Sequence, residues 1–104
     1  MNCHSYDDFF KNFANKTKFR IIMHLKDKPM SVNELSKLMQ EEQSKISHSL
    51  AKLSSCNILT VKQEGKQRIY SVNKDTVVPV INLVQKHVEK HCTWRCKKNE
   101  RSLP

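Results

Sequence analysis

A single glycine, Gly65, stands in a chain of 104 residues, beside only three prolines. Tight turns lean on both residue types, so a strand-rich chain with many hairpins is excluded and the architecture is mainly helical. The same scarcity removes glycine-dependent chemistry: there is no G-x-G-x-x-G turn, no G-x-x-x-x-G-K-[ST] loop and no G-x-S-x-G elbow. A chain of this length forms one domain around a small core. Nineteen Lys and Arg oppose ten Asp and Glu, a formal charge of +9. Residues 1–52 carry nine basic and six acidic side chains, residues 53–104 ten and four. That excess suits a polyanion, either nucleic acid or an anionic membrane surface. Apolar runs of three or four residues are too short to span a bilayer, so no membrane partner is expected. Residues 1–8 lack a basic start followed by an apolar stretch, so no signal peptide is expected. Four cysteines are too few for a disulfide scaffold, and reduced thiols in the cytoplasm are the expectation.

Hydrophobic spacing predicts a first helix over residues 6–13, with Phe9, Phe10 and Phe13 on one stripe, and a second over 16–26, capped by Asn15. Pro29 ends the second helix. Ser31-Val32-Asn33-Glu34 is a capping box, opening a helix over 32–39. After the polar break at 40–42, a helix over 43–55 carries Ile46, Leu50 and Leu53 as a narrow apolar stripe. Ser44, His48 and Ala51 fall opposite that stripe, flanked by Lys45, Ser47 and Lys52. Asn57 suits the left-handed position beyond the helix end. Two β-rich runs, 59–63 and 67–70, surround Gly65 and predict a hairpin. A last helix starts near Asp75–Pro79 and carries Val77, Ile81, Val84 and Val88 at helical spacing. The predicted order is α-α-α-α-β-β-α.

Two short helices joined by a three-residue turn, followed at once by a basic hairpin, form a helix-turn-helix with a wing. A helix of this kind fills the major groove. Gln43 suits bidentate pairing with adenine, Lys45 suits guanine or phosphate, and Ser44, Ser47 and His48 suit either. Lys52 and the hairpin residues Lys62, Lys66 and Arg68 suit phosphates or the minor groove. Double-stranded operator DNA is the expected partner.

Residues 6–90 resemble the ArsR/SmtB family of small winged-helix repressors. The resemblance is carried by 10–22 (FKNFANKTKFRII), similar to the family's ALADPTRLRIL opening; by Val32-Asn33-Glu34-Leu35; by 43–50 (QSKISHSL), similar to SQSTVSRHL; and by Glu64-Gly65-Lys66 with 68–71, similar to EGRxxYYSL. It implies a homodimer joined through the terminal helices, and repression relieved by an inducer. On that basis Phe9, Phe10, Val77, Ile81, Val84 and Val88 are the candidate dimer interface. Residues 1–96 are read as the DNA-binding domain with its dimerisation helix, and 97–104 as a basic tail. The family's Cys-Val-Cys metal motif stands here as Ser31-Val32-Asn33, and the Asp-x-His half of its zinc motif falls on 74–76 without a histidine. Glu42 replaces the usual serine cap.

The remaining candidates are Cys3, His87, His91, Cys92 and Cys96. His87 and His91 are four apart, as are Cys92 and Cys96, a spacing that suits shared ligation. On a continuous helix each Cys lies about 140° from the His five residues before it, so all four cannot hold one ion without unwinding. The group reads first as a polar helix end with stray thiols, with a site for a thiophilic metal ion or a thiol-oxidation switch as the alternatives. No cofactor is otherwise implied. Cys56, beside Ile58 and Leu59, reads as a packing residue. No Ser/His/Asp or paired-carboxylate constellation suggests an enzyme. Two other classes stay open: a thiol- or metal-binding protein acting through the C-terminal cluster, and a nonspecific architectural DNA-binding protein.

Overall fold

The computed structural model describes residues 5–91. The elements run α1 Tyr6–Ala14, α2 Lys16–Asp27, α3 Val32–Met39, α4 Gln43–Ser55, β1 Leu59–Glu64, β2 Gln67–Val72 and α5 Val77–His91. The helix starts follow local chemistry. Ser5 Oγ accepts from Asp8 N at α1, and Asn15 Oδ1 accepts from Lys18 N at α2. Both halves of the capping box form at α3: Ser31 Oγ accepts from Glu34 N, and Glu34 Oε1 accepts from Ser31 N. Pro29 holds Lys28 extended, which stops α2 at Asp27. Met30 then exchanges two backbone hydrogen bonds with Tyr70, a one-residue third strand on the outer edge of β2. Sequence periodicity does not reveal so short a pairing.

The core gathers Ile21, Ile22 and Leu25 of α2, Leu35 and Met39 of α3, Ile46, Leu50 and Leu53 of α4, and Leu59, Tyr70 and Val72 of the hairpin. Helix α2 packs on α4 and β2, α3 on α4, and α1 on α2. Strands β1 and β2 are antiparallel, from Leu59↔Val72 to Glu64↔Gln67. Gly65 takes φ +63° in the two-residue turn, the first central place of a primed hairpin turn. Strand β2 reaches Val72, two residues past the predicted end, because Tyr70 and Val72 bury against the core. Beyond Leu59 every residue of β1 is exposed, so the hairpin stands out into solvent as a wing.

Asn73 joins three elements. Its Oδ1 accepts from Asp75 N and Thr76 N, its Nδ2 donates to Asn57 O, and its backbone N donates to Ile58 O. That side chain sets the start of α5 at Val77, inside the expected range of 75–79. Val77 is only 1% exposed and belongs to the core, so it is removed from the candidate dimer interface. Val78 and Ile81 pack partly on the core, whereas Leu83 and Val84 face solvent. A residue one turn into a projecting helix still touches the body, which sequence spacing alone cannot tell.

Candidate nucleic-acid interface

The turn between α3 and α4 is closed by side chain and backbone together. Ser36 Oγ donates to Glu41 O at 2.6 Å, and Glu41 N donates to Ser36 O. Gln40 ends α3 in the left-handed region, at φ +55°. No glycine marks that position, so the sequence does not announce it. Glu42 is the N-cap of α4 and makes no side-chain cap bond. Its carboxylate and that of Glu41 therefore stand at the helix N-terminus.

Helix α4 buries Ile46, Ser49, Leu50 and Leu53 and exposes Gln43, Ser44, Lys45, Ser47, His48, Ala51 and Lys52. Every residue of α4 predicted to read DNA is exposed. Gln43 Nε2 donates to Asn33 Oδ1 across the turn. A carboxamide has two N–H groups and one acceptor oxygen. Asn33 engages one N–H, and the second N–H with the carbonyl is the donor and acceptor set that two-point pairing with adenine requires. The Asn33 contact thus orients Gln43. Lys45 Nζ lies 3.2 Å from Glu41 Oε1, an exposed i, i−4 ion pair that tempers its attraction for an anion.

Lys62, Lys66 and Arg68 are all exposed on the wing. They do not form one patch. Cross-strand partners share a face, and faces alternate along a strand. Lys62 opposes Ile69 and Arg68 opposes Gln63, so Lys62 and Arg68 lie on opposite faces of the hairpin. Lys66 occupies the tip.

A further lysine approaches Lys52 from a distant part of the sequence. Lys18, on α2, donates from Nζ to Asn12 Oδ1 at 3.2 Å. Burial, and then the neighbouring Lys52, hold its ammonium below the ordinary lysine value. Thirty-four residues separate Lys18 from Lys52, and no local pattern signals their approach.

Phe10 and Phe13 of α1 and Phe19 and Met23 of α2 line an apolar groove with Val80, Ile81, Val84 and Val88 of α5. Phe10 is 55% exposed and Val84 53%. Phe9 is half-buried and packs on the core. His87 and His91 stack with ring centres 4.9 Å apart. Among the described residues, no three His, Cys, Asp or Glu side chains gather to hold a metal ion. Cys3, Cys92, Cys96 and the tail 97–104 lie outside the described residues. Cys56 does pack against the core, but it is disulfide-bonded, which corrects the expectation of a reduced thiol there. No helix among the described residues is long and apolar enough to cross a membrane.

Residues 15–61, which span α2, the helix-turn-helix and the first half of the wing, match the profile "Bacterial regulatory protein, arsR family". These residues form an ArsR-family domain. The chain is 33% identical over 73 residues to the putative arsenical resistance operon repressor ArsR of Halobacterium salinarum. That match covers 66% of the chain and 57% of the relative, so the chain spans little more than half of that protein's length. HlyU from Vibrio cholerae has the same fold, with a TM-score of 0.68 and 27% identity over 81% of this chain and 88% of HlyU. The homodimeric winged helix-turn-helix DNA-binding domain of Mb0332 from Mycobacterium bovis superposes with a TM-score of 0.72 at 22% identity. It covers 79% of this chain and 76% of that domain, and at this identity the likeness speaks for fold.

Proposed function

We propose that this chain is a sequence-specific transcriptional repressor that binds double-stranded operator DNA as a homodimer in the cytoplasm and leaves it when an inducer acts. One observation carries the reading. The exposed face of α4 is small, polar and basic along its whole length, and a solvent-exposed wing bearing Lys62, Lys66 and Arg68 follows it directly. A helix with that face fits the major groove, while the wing reaches the flanking backbone. Lys52 extends the phosphate-facing surface. The apolar groove between α1, α2 and α5 supports a second copy as its occupant, since Phe10 and Val84 would otherwise remain in water. The homodimeric Mb0332 domain supports the same assembly.

A mobility-shift titration of the full chain tests the reading. The labelled duplex is the DNA upstream of its own coding sequence, and the competitor is random duplex. The expected preference is about 10³-fold or more. Equal competition by random DNA means an architectural protein. No shift at low salt means that the chain acts through its thiols or histidines instead.

A further inference from the structure

A glutamine is ambiguous at a base edge, because its carboxamide carries two N–H donors and one acceptor oxygen. It can turn one N–H and the oxygen to adenine, which offers N7 as acceptor and its N6 amino group as donor. It can also turn both N–H groups to guanine, whose N7 and O6 are both acceptors. The base it selects depends on whether both N–H groups are available.

In this chain they are not. Gln43, the first residue of α4, donates from Nε2 to Asn33 Oδ1, and among the described residues that is the one hydrogen bond of its carboxamide. The turn holds both backbones in place. The capping box between Ser31 and Glu34 sets the first turn of α3, where Asn33 stands. Ser36 and Glu41 close the chain between the helices, and α3 packs on α4. Asn33 and Gln43 are nonetheless both exposed, so the pair stands in solvent where the polar face of α4 begins.

We propose that Asn33 is a specificity-determining positioning residue: by engaging one N–H of Gln43 it leaves a single donor beside a single acceptor, so that Gln43 selects adenine over guanine in the major groove. With that N–H engaged, a two-point approach to guanine sets the Gln43 oxygen against O6, acceptor against acceptor. To donate twice to guanine, Gln43 has to give up Asn33, and Asn33 Oδ1 then loses its partner inside the interface. The same bond orders a long side chain before DNA arrives, which lowers the entropy cost of binding. The base choice rests on the DNA-binding function proposed above.

The contact itself is tested without DNA. In the side-chain amide NMR spectrum of the isotope-labelled full chain, Asn33→Ala should shift the Gln43 Nε2 signals and leave the melting temperature within ~4 °C. Unmoved Gln43 signals overturn the proposal. The base choice is tested by competing the upstream duplex against versions with each bound base pair changed in turn. At the base pair that Gln43→Ala affects, the wild type should prefer adenine to guanine by ~10-fold or more. Asn33→Ala should cut that preference to about threefold or less at the same base pair, and the double variant should match Gln43→Ala. Asn33→Asp keeps the acceptor oxygen, so it should keep the adenine preference while its charge weakens every duplex alike. Full adenine preference in Asn33→Ala, or additive losses in the double variant, would leave Asn33 a merely structural residue and sink the proposal. A wild-type preference for guanine there would mean the reverse bond, from Asn33 Nδ2 to Gln43 Oε1, and would overturn it too. Equal binding of random duplex by the wild type removes the repressor reading and the base choice together. A sequence-specific wild type with no Asn33 effect removes only the base choice.

Discussion

Gln43 and Lys18 show how differently two residues of this fold announce themselves. Gln43 follows the turn directly and opens α4, and its place on the reading face follows from helical spacing alone. What spacing cannot supply is Asn33, ten residues earlier, which orients the carboxamide. Gln43→Ala should relax sequence preference at one base pair by ~1–3 kcal/mol, measured by competition with single-base variants of the bound duplex. Lys66→Ala should instead weaken specific and random DNA alike. Lys18 lies outside any motif, and only the packing of α2 on α4 brings it near Lys52. Its lowered pKa fixes the sign of a pH effect. Below the folded value, both native and unfolded chains hold the proton, and the charged lysine costs the native state. Between the folded value and the ordinary 10.5, the unfolded chain binds more protons, so this contribution to stability rises with pH. Lys18→Gln should therefore stabilise the protein slightly at pH 7, by up to about 0.5 kcal/mol, and remove the alkaline rise. Denaturant melts from pH 7 to pH 10.5 measure both. An unchanged alkaline slope would show that Lys18 is ordinarily solvated.

Helices α1 to α4 and the wing were readable because each has an apolar pattern and at least one local signal at a boundary or turn. Asn15, the Ser31–Glu34 box, Pro29 and Gly65 all act where local chemistry places them. Helix α5 was readable as a helix but not as a surface. Its valines at 77, 84 and 88 share one spacing, yet Val77 is buried in the core while Val84 is half exposed. Which turns of a projecting helix touch the body depends on where Asn73 starts it, and that is a tertiary fact. The two valines therefore have different consequences. Val84→Asp places a charge in the apolar groove without opening the core. It should give monomers in sedimentation at concentrations where the wild type is dimeric, with the melting temperature nearly kept. Val77→Ala removes buried methyl groups and should cost about 1–3 kcal/mol, with association changed far less. A dimeric Val84→Asp protein would place the interface away from the groove.

The charge of +9 is spread over the whole chain, and the interface holds only part of it. Each protomer offers Lys45, Lys52, Lys62, Lys66 and Arg68, with Lys45 partly neutralised by Glu41 and with Lys62 and Arg68 on opposite wing faces. A single protomer thus meets at most about five phosphates, and two protomers about six to ten. Counterion release converts those numbers into slopes of log affinity against log salt, about −0.9 per phosphate neutralised. A dimer should lose ~10³–10⁵-fold in affinity between 50 and 200 mM salt, with a slope near −5 to −9. A monomer should not be steeper than about −4.5. The slope therefore reports assembly on DNA independently of sedimentation. Val84→Asp should bind the upstream duplex with roughly half the wild-type slope, since one half-site is then held without its linked partner. If both proteins give the same steep slope, phosphate contact extends beyond these five residues, with Lys18 the first candidate. If the wild-type response is flat, the charge of this surface is not spent on DNA.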